Sequence, residues 1–347
     1  MKKSSMLVLL LSFTIIVFAQ QKPVVKTQPV KPSKQPAEAP SGKFVGMIFN
    51  DASYILQEPQ PLNPSKGMSG KNAFLFRRAT IGYEHSFNKN VTAMIAYDAS
   101  RNFINQGFVD VKNIMPLMDL KIGLMQTLSS EITEKIWDYR SLEASVLNRK
   151  SYTDEFDMGM TFTGSINAQG TSYARVAIYN GNGVLPENNK LKKIAFAVGN
   201  WFDKSSVMEI YADFENLPNG KSTINAKLFY GMTSSKMAVG VEGFYRLERK
   251  MNLSTGGDLN PVGVSLYSWF EMAKALRAVA RVDVIDNDFA ITTSGYREIY
   301  LNAGFDYMPV ADVHLIPNLI YGKNLKKGTG TEIADGIIVR LTTAVNF

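Results

Sequence analysis

A two-residue alternation of apolar and polar side chains runs from Lys43 to the last residue, and no other feature limits the fold of this chain as much. It is clearest in the terminal stretch 333–347 (IADGIIVRLTTAVNF). There Ile333, Ile337, Val339, Leu341, Val345 and Phe347 share one parity, with Asp335 and Thr343 as its polar members. Ala334, Gly336, Arg340, Thr342 and Asn346 share the other, with Ile338 as its apolar member. Successive side chains of a strand point to opposite faces, so the pattern predicts a strand with one apolar and one polar side. Such a strand, ending on an aromatic residue, suits the rim of a membrane barrel, where Phe347 would face lipid.

The same alternation marks sixteen segments: 43–56, 73–87, 91–100, 103–115, 118–127, 154–167, 171–180, 191–202, 206–216, 222–233, 236–249, 261–272, 275–286, 295–307, 312–322 and 333–347. Connections after even-numbered segments are short, as at 88–90, 168–170, 203–205, 234–235, 273–274 and 308–311. Those after odd-numbered segments are mostly long: 57–72, 128–153, 181–190, 250–260, 287–294 and 323–332. Short periplasmic turns alternating with longer outer loops are the signature of a bacterial outer-membrane barrel, whereas a β-sandwich has no reason to alternate so regularly. The expected fold class is therefore all-β: a transmembrane antiparallel β-barrel of sixteen strands spanning 43–347.

The chain ahead of it divides in two. Residues 1–19 carry Lys2 and Lys3, an apolar run from Met6 to Phe18 and a small residue, Ala19, which together read as a secretory signal peptide. Residues 20–42, rich in Pro, Lys and Gln, cannot bury enough surface to fold and are expected to form an extended periplasmic linker, able to touch peptidoglycan. The chain has no cysteine, which excludes disulfides, thiol nucleophiles and cysteine metal sites. Its net charge of +7 comes largely from the leader and linker: six of 38 basic residues but one of 31 acidic ones lie in 1–40, leaving +2 for the remainder. That balance argues against a nucleic-acid-binding face.

Parity assigns the faces. In 91–100, Val91, Ala93, Ile95 and Tyr97 point to lipid and Thr92, Met94, Asp98 and Ser100 point inward. In 275–286, Leu276, Ala278, Ala280, Val282 and Val284 oppose Arg277, Arg281 and Asp283. Charge keeps to one face because a cation at mid-depth on the lipid side costs roughly 2–4 kcal/mol. Arg77 falls on the lipid parity, near the outer end of its strand, where its long side chain is expected to reach the headgroups. Tyr83, Phe87, Phe305, Tyr307 and Phe347 are the expected periplasmic aromatic girdle.

Several passages carry a resemblance. The stretch 74–83 (FLFRRATIGY) followed by Ala96-Tyr97-Asp98 resembles the FxFRRARLG…YD opening of the phosphate-selective porin O/P family. Residues 120–124 (LKIGL), the region 129–140, Ser141-Leu142, Asp157-Met158-Gly159 and 176–183 (VAIYNGNG) resemble later motifs of that family in the same order. The stretch 124–129 (LMQTLS) lacks the lysine and proline of the family's QFKTPF, and Glu143, Arg149 and Lys150 depart from its ERSL pattern. The resemblance implies a trimeric channel, in some members with a ladder of arginines and lysines that guides phosphate.

Inward parity supplies the cations such a ladder would need: Arg78, Lys112, Lys121, Arg175, Arg277, Arg281 and Arg340, together with Lys227 and Arg246. Rings of such cations select anions. The same parity supplies almost as many acids, among them Asp98, Asp110, Asp119, Glu242, Asp283 and Glu298, which favours a cross-strand ion-pair network around a weakly selective aqueous pore. The connection 128–153 is expected to fold inward and constrict that pore, with Glu134, Asp138, Arg140, Arg149 and Lys150 as its charged members.

Other chemistry is thinly represented. The two histidines are His85, on the lipid parity, and His314, on the lumen parity, and no catalytic residues follow from them. The glycines of 327–330 (KGTG) lack a GxxxxGK[ST] pattern, and zinc spacing is absent, so no cofactor or metal is expected. The expected function is an outer-membrane porin passing small hydrophilic solutes, with lipid, lipopolysaccharide and sister protomers as partners. The alternatives are a structural or adhesive barrel without an open pore, and a barrel-type hydrolase.

Overall fold

The computed structural model describes residues 40–57, 72–252, 256–330 and 335–347. The signal peptide and nearly all of the linker expected from the sequence lie outside the described residues, as do Ile333 and Ala334.

Sixteen strands close into one antiparallel barrel, each bonded to its sequence neighbours and the last to the first. They are β1 (Ser41–Gln57), β2 (Ala73–Asn88), β3 (Val91–Asp98), β4 (Phe103–Met115), β5 (Met118–Gln126), β6 (Phe156–Ser165), β7 (Ser172–Tyr179) and β8 (Lys193–Trp201). They continue as β9 (Ser206–Leu217), β10 (Lys221–Thr233), β11 (Met237–Arg249), β12 (Val262–Ala273), β13 (Leu276–Asp286), β14 (Tyr296–Val310), β15 (Val313–Lys326) and β16 (Gly336–Asn346). Every segment expected from the alternation is a strand. The largest boundary differences are at β14 and β15: Met308, Pro309 and Val310, expected in a turn, extend β14, and β15 runs on to Lys326.

Closure pairs the two seam strands through their backbones, as a sheet in hydrocarbon requires. β1 pairs with β16 from Met47↔Asn346 to Gln57↔Ile337. Beyond that ladder, Gly46 and Phe347 exchange two backbone hydrogen bonds of 2.7 and 3.0 Å. A side chain on Gly46 would collide with the Phe347 ring, so the terminal aromatic is seated over a position that only glycine can occupy.

The barrel is apolar outside and polar inside. Ile95, Ile122, Val198, Ile210, Leu228, Leu266, Val282 and Val339, from eight different strands, are all between 37% and 58% exposed, while Arg281, Asp283, Glu242, Asn302 and Arg340 are at most 2% exposed. A water-soluble protein does not expose so continuous an apolar surface; a bilayer matches it. At the short-turn end, Phe44, Tyr83, Phe87, Phe305, Tyr307 and Phe347 all stand exposed. Phe44 and Tyr83 pack with ring centroids 5.3 Å apart, and His85 meets Phe87 edge-on at 4.6 Å.

Arg77 is not where strict alternation puts it. The β1–β2 register slips between Phe49↔Arg78 and Asn50↔Phe76, leaving Arg77 as the extra residue of a β-bulge. The bulge lets both arginines reach the interior, where the Arg77 guanidinium bonds the Asp51 carboxylate and the Ser141 carbonyl. Headgroup contact is thus replaced by a buried ion pair.

Candidate functional site

The chain between β5 and β6 is built like a core element. It contains two short helices, α1 (Glu131–Trp137) and α2 (Val146–Arg149). Glu131 and Glu134 in the first turn of α1 and Lys135 in its last complement the helix dipole, and Asp138 ends it in a left-handed conformation with its N–H on the Glu134 carbonyl. Ile132 and Ile136, one turn apart, share a face and with Trp137, Tyr139 and Leu142 form one buried cluster with Val207, Phe229, Ala238, Tyr267, Trp269, Val279 and Ile316. Those partners stand on the inward faces of β9–β13 and β15.

Polar groups fasten the same side. Lys227 Nζ donates to the Ser129 carbonyl (2.6 Å) and to Thr133 Oγ1 (3.0 Å). Glu242 accepts from Thr133 Oγ1 and from the Val146 N–H, both at 3.0 Å. The Tyr267 hydroxyl bonds the Thr133 carbonyl, Arg281 bonds that of Ala144, Arg340 that of Leu142 and Arg246 that of Tyr152. Arg149 reaches Asp283 at 2.9 Å and Glu298 at 2.7 Å, and Lys150 reaches Glu298 at 2.7 Å. A helical turn or loop carries unsatisfied carbonyls, and here inward cations of β10, β11, β13 and β16 answer them.

The cations singled out by parity all lie near protein carboxylates, at distances that differ along the wall. Arg281 pairs with Asp283 at 2.9 Å, and Arg340 lies 3.5 Å from Asp51 and 3.0 Å from Asn318 Oδ1. Arg175 bridges Glu131 (2.7 Å) and Glu209 (3.2 Å). Arg277 stacks on Trp269, 4.0 Å from the ring centre, and lies 3.9 Å from Asp138. Lys112 sits 3.3 Å from Asp110 and 3.1 Å from Asp119, and Lys121 3.9 Å from Asp110. Arg78 forms a fork on Glu155, with Nη1–Oε1 at 2.8 Å and Nη2–Oε2 at 2.6 Å. Arg140 joins the same carboxylate at 2.7 Å and lies 3.4 Å from Glu134.

On the β1–β8 side, and toward β15 and β16 at the short-turn end, the connection stands off the wall and leaves cavities. One of about 580 Å³ opens among Arg77, Arg101, Ser151 and Gly183, at the end bearing the long connections. A second, of about 460 Å³, runs from Arg78 and Asn105 to Asn346 and His314, toward the short turns. A third, of about 310 Å³, is lined by Lys112, Lys121, Thr163, Ser165 and Trp201. Burial raises Glu134 to about 7, against the opposing pull of Arg140. Burial would raise Glu155 too, but Arg140 and Arg78 hold it well below the usual carboxylate range.

His314 and His85 occupy different settings. His314 Nδ1 lies 2.8 Å from Asp306 Oδ2, which also accepts from the Tyr139 hydroxyl at 2.7 Å. His85 stands in the outer aromatic row between Tyr83 and Phe87. Among the described residues no group of three histidine or carboxylate side chains could hold a metal ion.

Inward parity placed Lys227 and Arg246 on the wall, but not Glu242, Tyr267 or Tyr139 as partners of the connection. The available signal was apolar: Ile132, Ile136, Trp137, Leu142, Val146 and Leu147 are more than a solvated loop requires, and Val207, Phe229, Val279 and Ile316 interrupt the polar faces of their strands.

No protein-family model matches the sequence, and no curated protein does. Solved structures do share the fold. An anion-selective porin from Comamonas acidovorans superposes with a TM-score of 0.66 at 9% identity, over 89% of this chain and 100% of its own. OmpT in its trimer form, an outer membrane protein of Vibrio cholerae, gives 0.65 at 10% identity over 89% and 100%. The outer membrane channel DcaP of Acinetobacter baumannii gives 0.64 at 11% identity over 89% and 98%. The barrel described above is thus the fold of bacterial outer-membrane porins and channels.

Proposed function

We propose that this protein is an outer-membrane channel through which small hydrophilic solutes diffuse passively, with the 127–155 connection narrowing its lumen. The observation that carries this reading is the pairing of an apolar outer wall with a charge-bearing interior in which three adjoining cavities lie beside the connection. Sixteen strands enclose more space than wall side chains fill, and the connection takes up one side of it. On this reading the short turns and both barrel termini face the periplasm, and the long connections face outside.

Selectivity among ions is expected to be weak. Each wall cation has a carboxylate or carbonyl partner, so a phosphate ladder of the kind the sequence resemblance implies would have to displace protein anions. Assembly as a homotrimer is part of the proposal, supported by the same resemblance and by the trimer form of one structural neighbour.

Planar-bilayer conductance of the folded protein under a KCl gradient, with phosphate titrated in, tests the reading. Ohmic steps in groups of three, a small reversal potential and little phosphate block are expected. A folded sample that gives no steps would favour a closed structural barrel, which the anchoring of the connection across β9–β16 would then explain. Strong chloride preference with phosphate block would restore the ladder.

A further inference from the structure

The cavity at the long-connection end and the one leading to the short turns are lined in common by five residues, Phe49, Arg78, Arg140, Glu155 and Phe156. Three of these are the fork already described, in which one carboxylate satisfies two guanidinium groups. Glu155 belongs to the connection and Arg78 to the β2 wall, so the fork joins the two across the space between the cavities. Below it, Gln126, Glu131 and Lys135 line both the second and the third cavity. The three cavities thus adjoin one another, with the fork, Phe49 and Phe156 forming the partition between the first two.

We infer that solutes cross the barrel along its β1–β8 side and that Glu155 is the tethered occupant of an anion site that they must enter. The inference rests on the channel reading above. Arg78 presents two parallel donors and Arg140 a third, which is the geometry that binds a planar carboxylate. Being part of the chain, Glu155 holds the site at a high effective concentration, so a free monocarboxylate competes poorly. A small dicarboxylate, which can engage Arg78 and Arg140 together, competes better. Such solutes are the class this passage would favour.

Bilayer recordings of the folded protein and of its Glu155→Gln variant, with acetate or succinate added, test this. An amide keeps the shape but cannot neutralise two guanidinium groups. The variant is expected to show at least about a twofold larger step, a reversal potential moved toward chloride, and succinate block at roughly tenfold lower concentration than in the unaltered protein, with acetate weaker in both. Arg140→Gln removes the second cation and should abolish the succinate preference, which keeps the inference open to test if the first variant folds poorly. Steps in both proteins with the same size, reversal potential and succinate response would overturn the inference and leave the channel reading standing. No steps from any correctly folded sample would overturn the channel reading, and this inference with it.

Discussion

The two sides of the 127–155 connection are held by different physics. Toward β9–β16 it is sealed by an apolar cluster with Trp137 and Ile136 at its centre, each 1% exposed, and by side chains that cap its carbonyls. Toward β1–β8 it meets the wall through ion pairs beside the cavities and, at its start, through Leu128, which packs with Ala177, Tyr179, Ala195 and Ala197. Apolar packing is indifferent to ions, whereas an ion pair bordering a cavity can be competed for by a charged solute that supplies the same hydrogen bonds. On the proposed reading, one side is an anchor and the other the passage.

Breaking the anchor should have the largest effect. Trp137→Ala removes a ring packed 4.9 Å from Tyr267 and an indole N–H bonded to the Glu143 carbonyl at 3.0 Å. A cost of about 3–5 kcal/mol in docking is expected, as for other buried tryptophans. The barrel ladder is untouched, so the protein should keep its heat-modifiable mobility on gels while its single-channel steps grow and become noisy. Unchanged steps would mean that the connection does not narrow the lumen. Glu242→Gln comes next: the carboxylate accepts from both Thr133 and Val146, and losing its charge should cost about 1.5–3 kcal/mol. Step noise intermediate between the unaltered protein and the tryptophan variant would place it correctly.

The barrel was legible in the sequence and the anchor was not, for a common reason. A two-residue period reports on each strand locally, so β13 could be read from Leu276 to Asp286 residue by residue. Arg77 failed that reading because a single bulge shifts the period, and a bulge leaves no mark in composition. The resting place of the connection depends on contacts more than a hundred residues apart, such as Thr133 with Glu242 and Tyr139 with Asp306, which no local pattern encodes. Arg281 and Arg340 stand on the inner face that their parity indicates, yet their partners include carbonyls of the connection, and a carbonyl is invisible in a sequence.

Protons should shift the balance between anchor and passage. Glu134 is raised by burial to about 7 from 4.5, so the docked connection binds its proton more tightly than a released one does. The contribution is fully present below about 4.5 and is lost as pH rises through about 7, on the order of 3 kcal/mol across that window. Glu155 acts oppositely: its lowered value makes its contribution present above the ordinary glutamate range and lost only in stronger acid, so it stays ionised throughout. Steps should therefore become larger or noisier between pH 5 and 8 in the unaltered protein and stay flat in Glu134→Gln; a parallel response in both would remove Glu134 from the anchor.

The smallest effect is expected on the passage side, from Lys112→Gln. Lys112 is 49% exposed in its side chain and shares Asp119 and Asp110 at 3.1 and 3.3 Å. Pairs this open to water contribute about 0–1 kcal/mol, so thermal unfolding should barely move. Its charge nevertheless borders the third cavity, which makes the variant a probe of the route and not of the fold. A slight fall in chloride preference with no change in unfolding temperature is the expected pair of results. A marked loss of stability would show that the ion pairs of this side also hold the barrel together, and the distinction between anchor and passage would have to be redrawn.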